Sequence, residues 1–222
     1  MNRPALIPLA GWLRCPLCGR DLDEDSTAFI CSSGHRFELN RRGYLGLLAP
    51  DATTRRESTR EVEERTARWS TSDSTATVEA AVAMMPPGRP RVLDVGSDLG
   101  TTLAAIAHAR DDLSALSVGD SPNSLVRAMA TARAPAVLCD LIRELPIRDG
   151  SAEVLLAIGA PHRPTEWHRV LARGGIVIAS ASGSAAEALL DDVYPWFEHD
   201  QTREVGDSSA LRLRRRRRPI SW

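Results

Sequence analysis

The chain has 222 residues, enough for one full α/β domain with a small satellite or for two small domains. Its 43% apolar content excludes wholesale disorder, and a net charge of -1 gives no overall pull toward a nucleic acid or a membrane surface. All 28 basic residues are arginine, which either phosphate and base recognition or a GC-rich genome accounts for; composition does not separate the two.

In chain order, Ile7 to Leu13 is too short and broken for a signal segment, and no later apolar run reaches membrane-spanning length. A cytoplasmic protein is therefore expected. Residues 1–48 are read as a first module because they hold Cys15, Cys18, Cys31 and His35 in the spacing C-x2-C-x12-C-x3-H. Two cysteines across a tight knuckle can face one tetrahedral ion, and a second pair closes the site from another turn, so a structural zinc is expected. Thin zinc modules fold through their metal, and the sequence alone suggests that removing it unfolds this unit and spares the rest. Arg36, Arg41 and Arg42, interleaved with Phe37 and Tyr44, make either an RNA face or a solvated basic one.

Residues 49–85 read as a linker with one helical segment, Glu61 to Trp69, where Trp69 is placed to cap that helix against the domain. From residue 86 to 222 strands and helices alternate. Strands are predicted at Arg91–Val95, Leu113–Val118, Ala136–Leu138, Val154–Ile158 and Ile176–Ala179, with helices at Thr101–Arg110, Ser121–Arg133, Thr165–Leu171 and Ala185–Tyr194. Ser121 is the expected N-cap of the second helix, and Gly174-Gly175 the stop of the third. A hairpin from Thr202 to Arg216 closes the chain. Such alternation predicts an α/β, doubly wound, mostly parallel sheet. Its first strand ends in Asp94-Val95-Gly96-Ser97-Asp98-Leu99-Gly100, and a glycine turn at that junction is where such folds take adenosine cofactors. Arg214 to Arg218 are either a phosphate-contacting edge or a solvated strand, and Cys139 reads as a packed thiol.

The zinc knuckle with Phe37 and Gly43-Tyr44-x-x-Leu47-Leu48 is followed by Asp94-x-Gly96-x-x-x-Gly100, Leu145-Pro146, Ala160-Pro161 and Arg173-Gly174-Gly175. In this order these motifs resemble the ribosomal large-subunit (23S) rRNA guanine-N1 methyltransferases with an N-terminal zinc module, over residues 13–185. The resemblance implies a class I, S-adenosylmethionine-dependent methyltransferase domain and a zinc module that helps grip an rRNA hairpin. It implies cofactor contacts from Asp94, Gly96 and Gly100, from Asp120 near the ribose and from Asp140 near the adenine. The chain departs from the family at several positions. Asp98 replaces a glycine of the turn, Gly119 stands where the ribose acid is expected, and His162 replaces a cysteine after Ala-Pro. The chain is also shorter before the last hairpin and ends soon after Pro219-Ile220-Ser221-Trp222. His162 is either the base that takes the guanine N1 proton or an ordinary loop histidine.

The function expected is methyl transfer to N1 of a guanine in a 23S rRNA hairpin, without membrane association. The alternative is a non-catalytic zinc-containing RNA- or protein-binding module on a degenerate methyltransferase scaffold; a small-molecule methyltransferase is a third. The sequence leaves the oligomeric state open, with a homodimer among the options.

Overall fold

The computed structural model describes residue 9 and residues 11–25, 28–69, 72–96, 99–110 and 113–220, except the side chains of 68, 69 and 72–74. Asp98, the Trp69 side chain, Ile7, Pro8 and Ala10 of the Ile7–Leu13 stretch and the last two residues of the terminal turn lie outside that description.

The N-terminal unit is a small antiparallel sheet of β1 (Leu22–Asp25), β2 (Ala28–Cys31) and β3 (Arg36–Glu38). Its register sets Leu22 opposite Cys31 and Phe29 opposite Phe37. Next comes β4 (Leu45–Gly46), then two helices, α1 (Thr59–Trp69) and α2 (Ser72–Ala83). The remainder alternates as predicted: β5 (Arg91–Val95), α3 (Thr101–Ala109), β6 (Ser114–Gly119), α4 (Pro122–Ala132), β7 (Ala136–Leu138), β8 (Ala152–Ile158), α5 (Pro164–Val170), β9 (Leu171–Ser182), α6 (Ser184–Val193) and the hairpin β10 (Phe197–Val205) with β11 (Ser208–Arg215).

The main sheet has eight strands in the order β10-β11-β9-β8-β5-β6-β7-β4. Strands β4 to β9 pair in parallel and the last hairpin antiparallel. Strand order turns back at β5, which lies between β6 and β8, and ligands of open α/β sheets bind at the carboxyl ends around such a reversal. Alternate residues feed two cores because side chains alternate across a pleated sheet. Leu93, Leu155, Val177 and Leu213 face one core, while Val92, Val154, Leu156 and Ile178 face the other, which Ala81, Met84, Leu103 and Ile106 of the α2–α3 layer complete. Ser121 caps α4 as expected, its hydroxyl accepting the Ser124 N–H at 3.3 Å, with Pro122 in the first turn.

Three features differ from the sequence reading. Helix α2 adds a second helix to the 49–85 stretch and packs on α3 and the final hairpin. Strand β9 starts at Leu171, directly after α5, and runs through Gly174 and Gly175; the register jumps from Ala152 opposite Leu171 to Val154 opposite Ile176. The glycines make this loop-out feasible. Gly174 has φ 78°, and a Cβ on Gly175 would lie 3.1 Å from Glu153 O. The third feature is β4, which extends the sheet of the second unit with Leu45 paired to Val137.

The N-terminal unit sits on the sheet face that also carries α5 and α6. Trp12, Leu13, Leu22 and Phe29 share one buried cluster with Leu93, Val137, Leu155 and Trp167. Residues 139–151, between β7 and β8, contain no helix, and Leu13 bridges antiparallel to Ile147 there. Arg14 N–H donates to Pro146 O at 3.0 Å and Arg148 N–H to Trp12 O at 2.8 Å. The Arg91 guanidinium lies 4.3 Å from the Trp12 ring, and Arg148 donates to the carbonyls of Leu13 and Leu22 at 2.9 Å.

Candidate cofactor cleft and metal centre

Two tight turns build the metal centre. After Cys15 the chain reverses so that Gly19, at φ 70°, donates its N–H to Cys15 O at 2.9 Å; Gly34, at φ 81°, donates to Cys31 O at 2.8 Å. A residue with a Cβ is strained at such angles. These turns bring Cys18 Sγ within 3.7 Å of Cys31 Sγ and His35 Nδ1 within 3.4 Å of the sulfurs of Cys15 and Cys31. All four donor atoms lie within 4.8 Å of one another. Tetrahedral zinc with Zn–S bonds of about 2.3 Å and a Zn–N bond of about 2.0 Å separates its ligand atoms by roughly 3.5–3.8 Å. Donor type, number and spacing fit zinc, and four protein donors leave no open position for a substrate. Burial pushes the Cys15 thiol up to about 11, whereas the Arg20 backbone N–H draws Cys18 down to about 6. A bound dication stabilises all the thiolates together.

The basic face beside the metal is partly committed. Arg36 pairs with Asp25 at 3.4 Å and Glu38 at 3.1 Å, and Arg42 donates to Asn123 Oδ1 at 2.7 Å. Tyr44 is buried with Leu125 and Leu138, and Phe37 packs against the main core, so both rings contribute to folding. Arg41 is exposed.

The cleft lies at the carboxyl ends of β5, β6, β7 and β8. Asp94, on β5, is fully buried, and its Oδ2 accepts the Ser117 hydroxyl at 3.2 Å. Gly96 turns at φ 64°, and its N–H donates to Val118 O at 2.8 Å. A Cβ there would sit 3.2 Å from Ala160 Cβ, so the turn lies against the loop after β8. Gly100, at φ 68°, has a different reason to be glycine: a Cβ would fall 2.7 Å from Ala128 O, so it lets α3 approach α4. His162, two residues beyond Ala160, is exposed, with its ring edge-on to Trp167 at 5.9 Å. Cys139 is buried as a packed thiol, and burial pushes its ionisation up.

Asp120 and Asp140 have partners in the 49–85 stretch that the sequence reading missed. Residues 51–57 run across the ends of β6 and β7 as a strap. Asp51 pairs with Arg143 at 2.8 Å. Thr53 donates its N–H at 2.8 Å and its hydroxyl at 3.0 Å to Asp140 Oδ2. Arg55 donates its N–H to Asp120 O at 2.8 Å, and its side chain pairs with the Asp120 carboxylate at 3.4 Å. Glu57 accepts the Ser124 hydroxyl at 2.8 Å and pairs with Arg65. Asp140 keeps Oδ1 for the Ile142 N–H at 3.1 Å and one further acceptor position. Burial opposes its ionisation, but the Thr53 and Ile142 hydrogen bonds and the Arg143 charge outweigh that and hold its carboxyl low. No alternation in the sequence marks the strap, because every residue from 51 to 57 except Ala52 is polar. A cavity of about 330 Å³ beside it is lined by Pro16 of the metal knuckle together with Leu47, Cys139 and Asp140, so the ribbon borders the cleft.

Solved structures share this architecture. An Aquifex aeolicus S-adenosylmethionine-dependent methyltransferase superposes with a TM-score of 0.56 at 12% identity, covering 72% of this chain and 99% of its own. The methyltransferase NodS of Bradyrhizobium japonicum, with S-adenosylhomocysteine, gives 0.53 at 11%, covering 72% and 99%. A chain of the Haloferax volcanii Trm112 activator–methyltransferase complex gives 0.60 at 13%, covering 73% and 99%. The fold is therefore that of the class I methyltransferases.

Residues 13–52 match the zinc-ribbon family model described as RlmA, N-terminal. The chain is 31% identical over 173 residues to the 23S rRNA (guanine(748)-N(1))-methyltransferase of Streptomyces fradiae, covering 75% of this chain and 62% of the relative. It is 32% identical over 197 residues to a Micromonospora griseorubida protein provisionally named a 23S rRNA (guanine-N(1)-)-methyltransferase, covering 79% and 66%. The chain thus carries the zinc ribbon of that family model over residues 13–52 and is similar to 23S rRNA guanine-N1 methyltransferases, and it spans less than two thirds of the length of the curated relatives it matches.

Proposed function

We propose that the chain is an S-adenosylmethionine-dependent methyltransferase acting on N1 of a guanine in a 23S rRNA hairpin, in the cytoplasm where that RNA is made. The observation that carries it is the glycine turn of Gly96 at the strand-order reversal, set in one molecule beside a three-cysteine, one-histidine ribbon. No helix among the described residues is long and apolar enough to cross a membrane.

The backbone-lined turn and buried Asp94 fit the amino-acid end of the cofactor. Asp120, its side chain 28% exposed, and Asp140 through Oδ1 fit the ribose and adenine. Bound S-adenosylmethionine supplies an electrophilic methyl group. The chain's residues then orient the base and remove its N1 proton, for which His162 at the cleft rim is the proposed base. Residues 1–48 grip the hairpin, 49–85 connect, and 86–222 carry the transfer.

The test is primer extension on an unmodified 23S rRNA hairpin, because a methyl on N1 blocks the Watson–Crick edge. A stop at one guanine that requires S-adenosylmethionine is the expected result, and His162→Ala should slow it about 100-fold or more with cofactor affinity unchanged. Cofactor binding without a stop rejects this substrate, and a folded protein that binds no cofactor supports the non-catalytic scaffold instead.

A further inference from the structure

Past Leu213, the last core residue of β11, the alternation of that strand gives way to Arg214–Arg218. These five arginines and Arg173, from the start of β9, line one open groove of about 1050 Å³, with Glu198 the acid on its wall. Some of the groups are held in place by the fold. Arg215 donates to His168 O at 2.8 Å and Arg216 to Tyr194 O at 3.1 Å; Arg216 also pairs with Glu198 at 3.0 Å and Arg214 with Asp200 at 3.3 Å. Arg173, Arg217 and Arg218 are exposed and have no acidic partner among the described residues. Burial and the neighbouring charge of Arg173 both weaken protonation of Arg215, so these cations are crowded.

The groove stands apart from the cofactor cleft. Arg214 is in register with Ile176, near the amino end of β9, whereas the glycine turn and the strap lie at the carboxyl ends of the parallel strands. Ser208, at the other end of β11, pairs with Ser182, so the groove is separated from that edge by a strand length of roughly 20 Å. A chain of net charge -1 that concentrates cations around an open channel forms a favourable site for a polyanion. The mixture of pinned and free guanidinium groups suits successive phosphates, since each planar fork can take two oxygens.

We propose that the groove of Arg173 and Arg214 to Arg218 is a second binding site for the phosphodiester backbone of RNA, on the opposite end of the sheet from the transfer cleft. This rests on the reading of the chain as RNA-acting, and it means that a bound RNA extends around the molecule from the cleft.

The experiment measures binding of an unmodified 23S rRNA hairpin by the full chain across a salt series, with methyl transfer assayed separately. Arg217→Glu with Arg218→Glu should weaken binding at least tenfold and flatten the log K against log salt slope by about 1.5, with S-adenosylmethionine affinity unchanged. Arg60→Glu with Arg203→Glu makes the same change in net charge on exposed residues elsewhere and should alter binding less than about twofold if the groove is specific. Equal losses from the two pairs would falsify the groove as a site. So would loss of binding to phosphatidylglycerol vesicles with RNA binding intact, which assigns it to a membrane surface. Groove-dependent RNA binding without any methyl transfer leaves the groove standing and removes the transfer reading. Methyl transfer with binding insensitive to the groove pair does the reverse.

Discussion

Glu57 shows how one residue can tie a segment to a domain. Burial opposes its ionisation, but hydrogen bonds from Arg65, Ser121 and Ser124 and the charge of Arg55 hold its carboxyl at about 2 rather than the ordinary 4.5. A depressed folded-state pKa contributes stability in full above about 4.5, and that contribution fades as the pH falls toward 2. Glu57→Gln should therefore cost about 1–3 kcal/mol at neutral pH, and the gap from the parent should narrow as urea unfolding is repeated down to about pH 3. A gap of constant size over that range would show that Glu57 does not act through its charge. Other single residues carry equally local duties: Gly100 is glycine for helix packing, and Gly96 for the left-handed turn beside Ala160.

Among the elements, the strap has the most direct bearing on function. Arg55 holds the carboxylate proposed for the ribose, through an ion pair open to solvent. Exposed pairs contribute about 0.2–1 kcal/mol, so Arg55→Ala should tighten S-adenosylmethionine binding by no more than about fivefold in titration calorimetry. Weaker binding in that variant would make Arg55 itself a cofactor contact; no change would remove Asp120 from the ribose. The helices and strands of the second unit were legible in the sequence because each carries its own periodicity, turn residues or cap, as Ser121-Pro122 does for α4. The cysteine–histidine cluster was legible because its spacing is local. Strand β4 was not, since two residues have no period and its pairing with Val137 is remote in sequence. Nor was the loop-out in β9, because a glycine pair looks like a helix stop until the facing strand is known. The strap escaped because it is bound by polar contacts to residues up to 92 positions away, for which sequence offers no periodic signal.

For the whole molecule, the main consequence is that ribbon and sheet share one core. Trp12, Leu13, Leu22 and Phe29 are buried with residues of β5, β7 and β8, and Cys15 and Cys31 belong to the same cluster. The simple expectation that metal removal spares residues 86–222 thus changes. Burying each large side chain stabilises by about 1.5–3 kcal/mol, and loss of the metal loosens several at once. Chelation should lower the Tm of a single cooperative transition that includes near-ultraviolet signals from Trp167. A two-step melt whose second step keeps the original Tm would contradict this coupling. The main sheet also ends differently on its two sides. At β10 the outer strand is long but studded with Glu198, Asp200, Arg203 and Glu204, while at the far side the two-residue β4 covers β7. Charge and brevity are both deterrents to another chain adding a strand. A fragment cut after β4 would keep the first guard and lose the second, leaving the apolar Ala136–Leu138 backbone open beside an uncovered sheet face. The N-terminal unit thereby covers an edge and a face of the second unit, and its removal is expected to promote self-association, visible as a concentration-dependent rise in apparent mass.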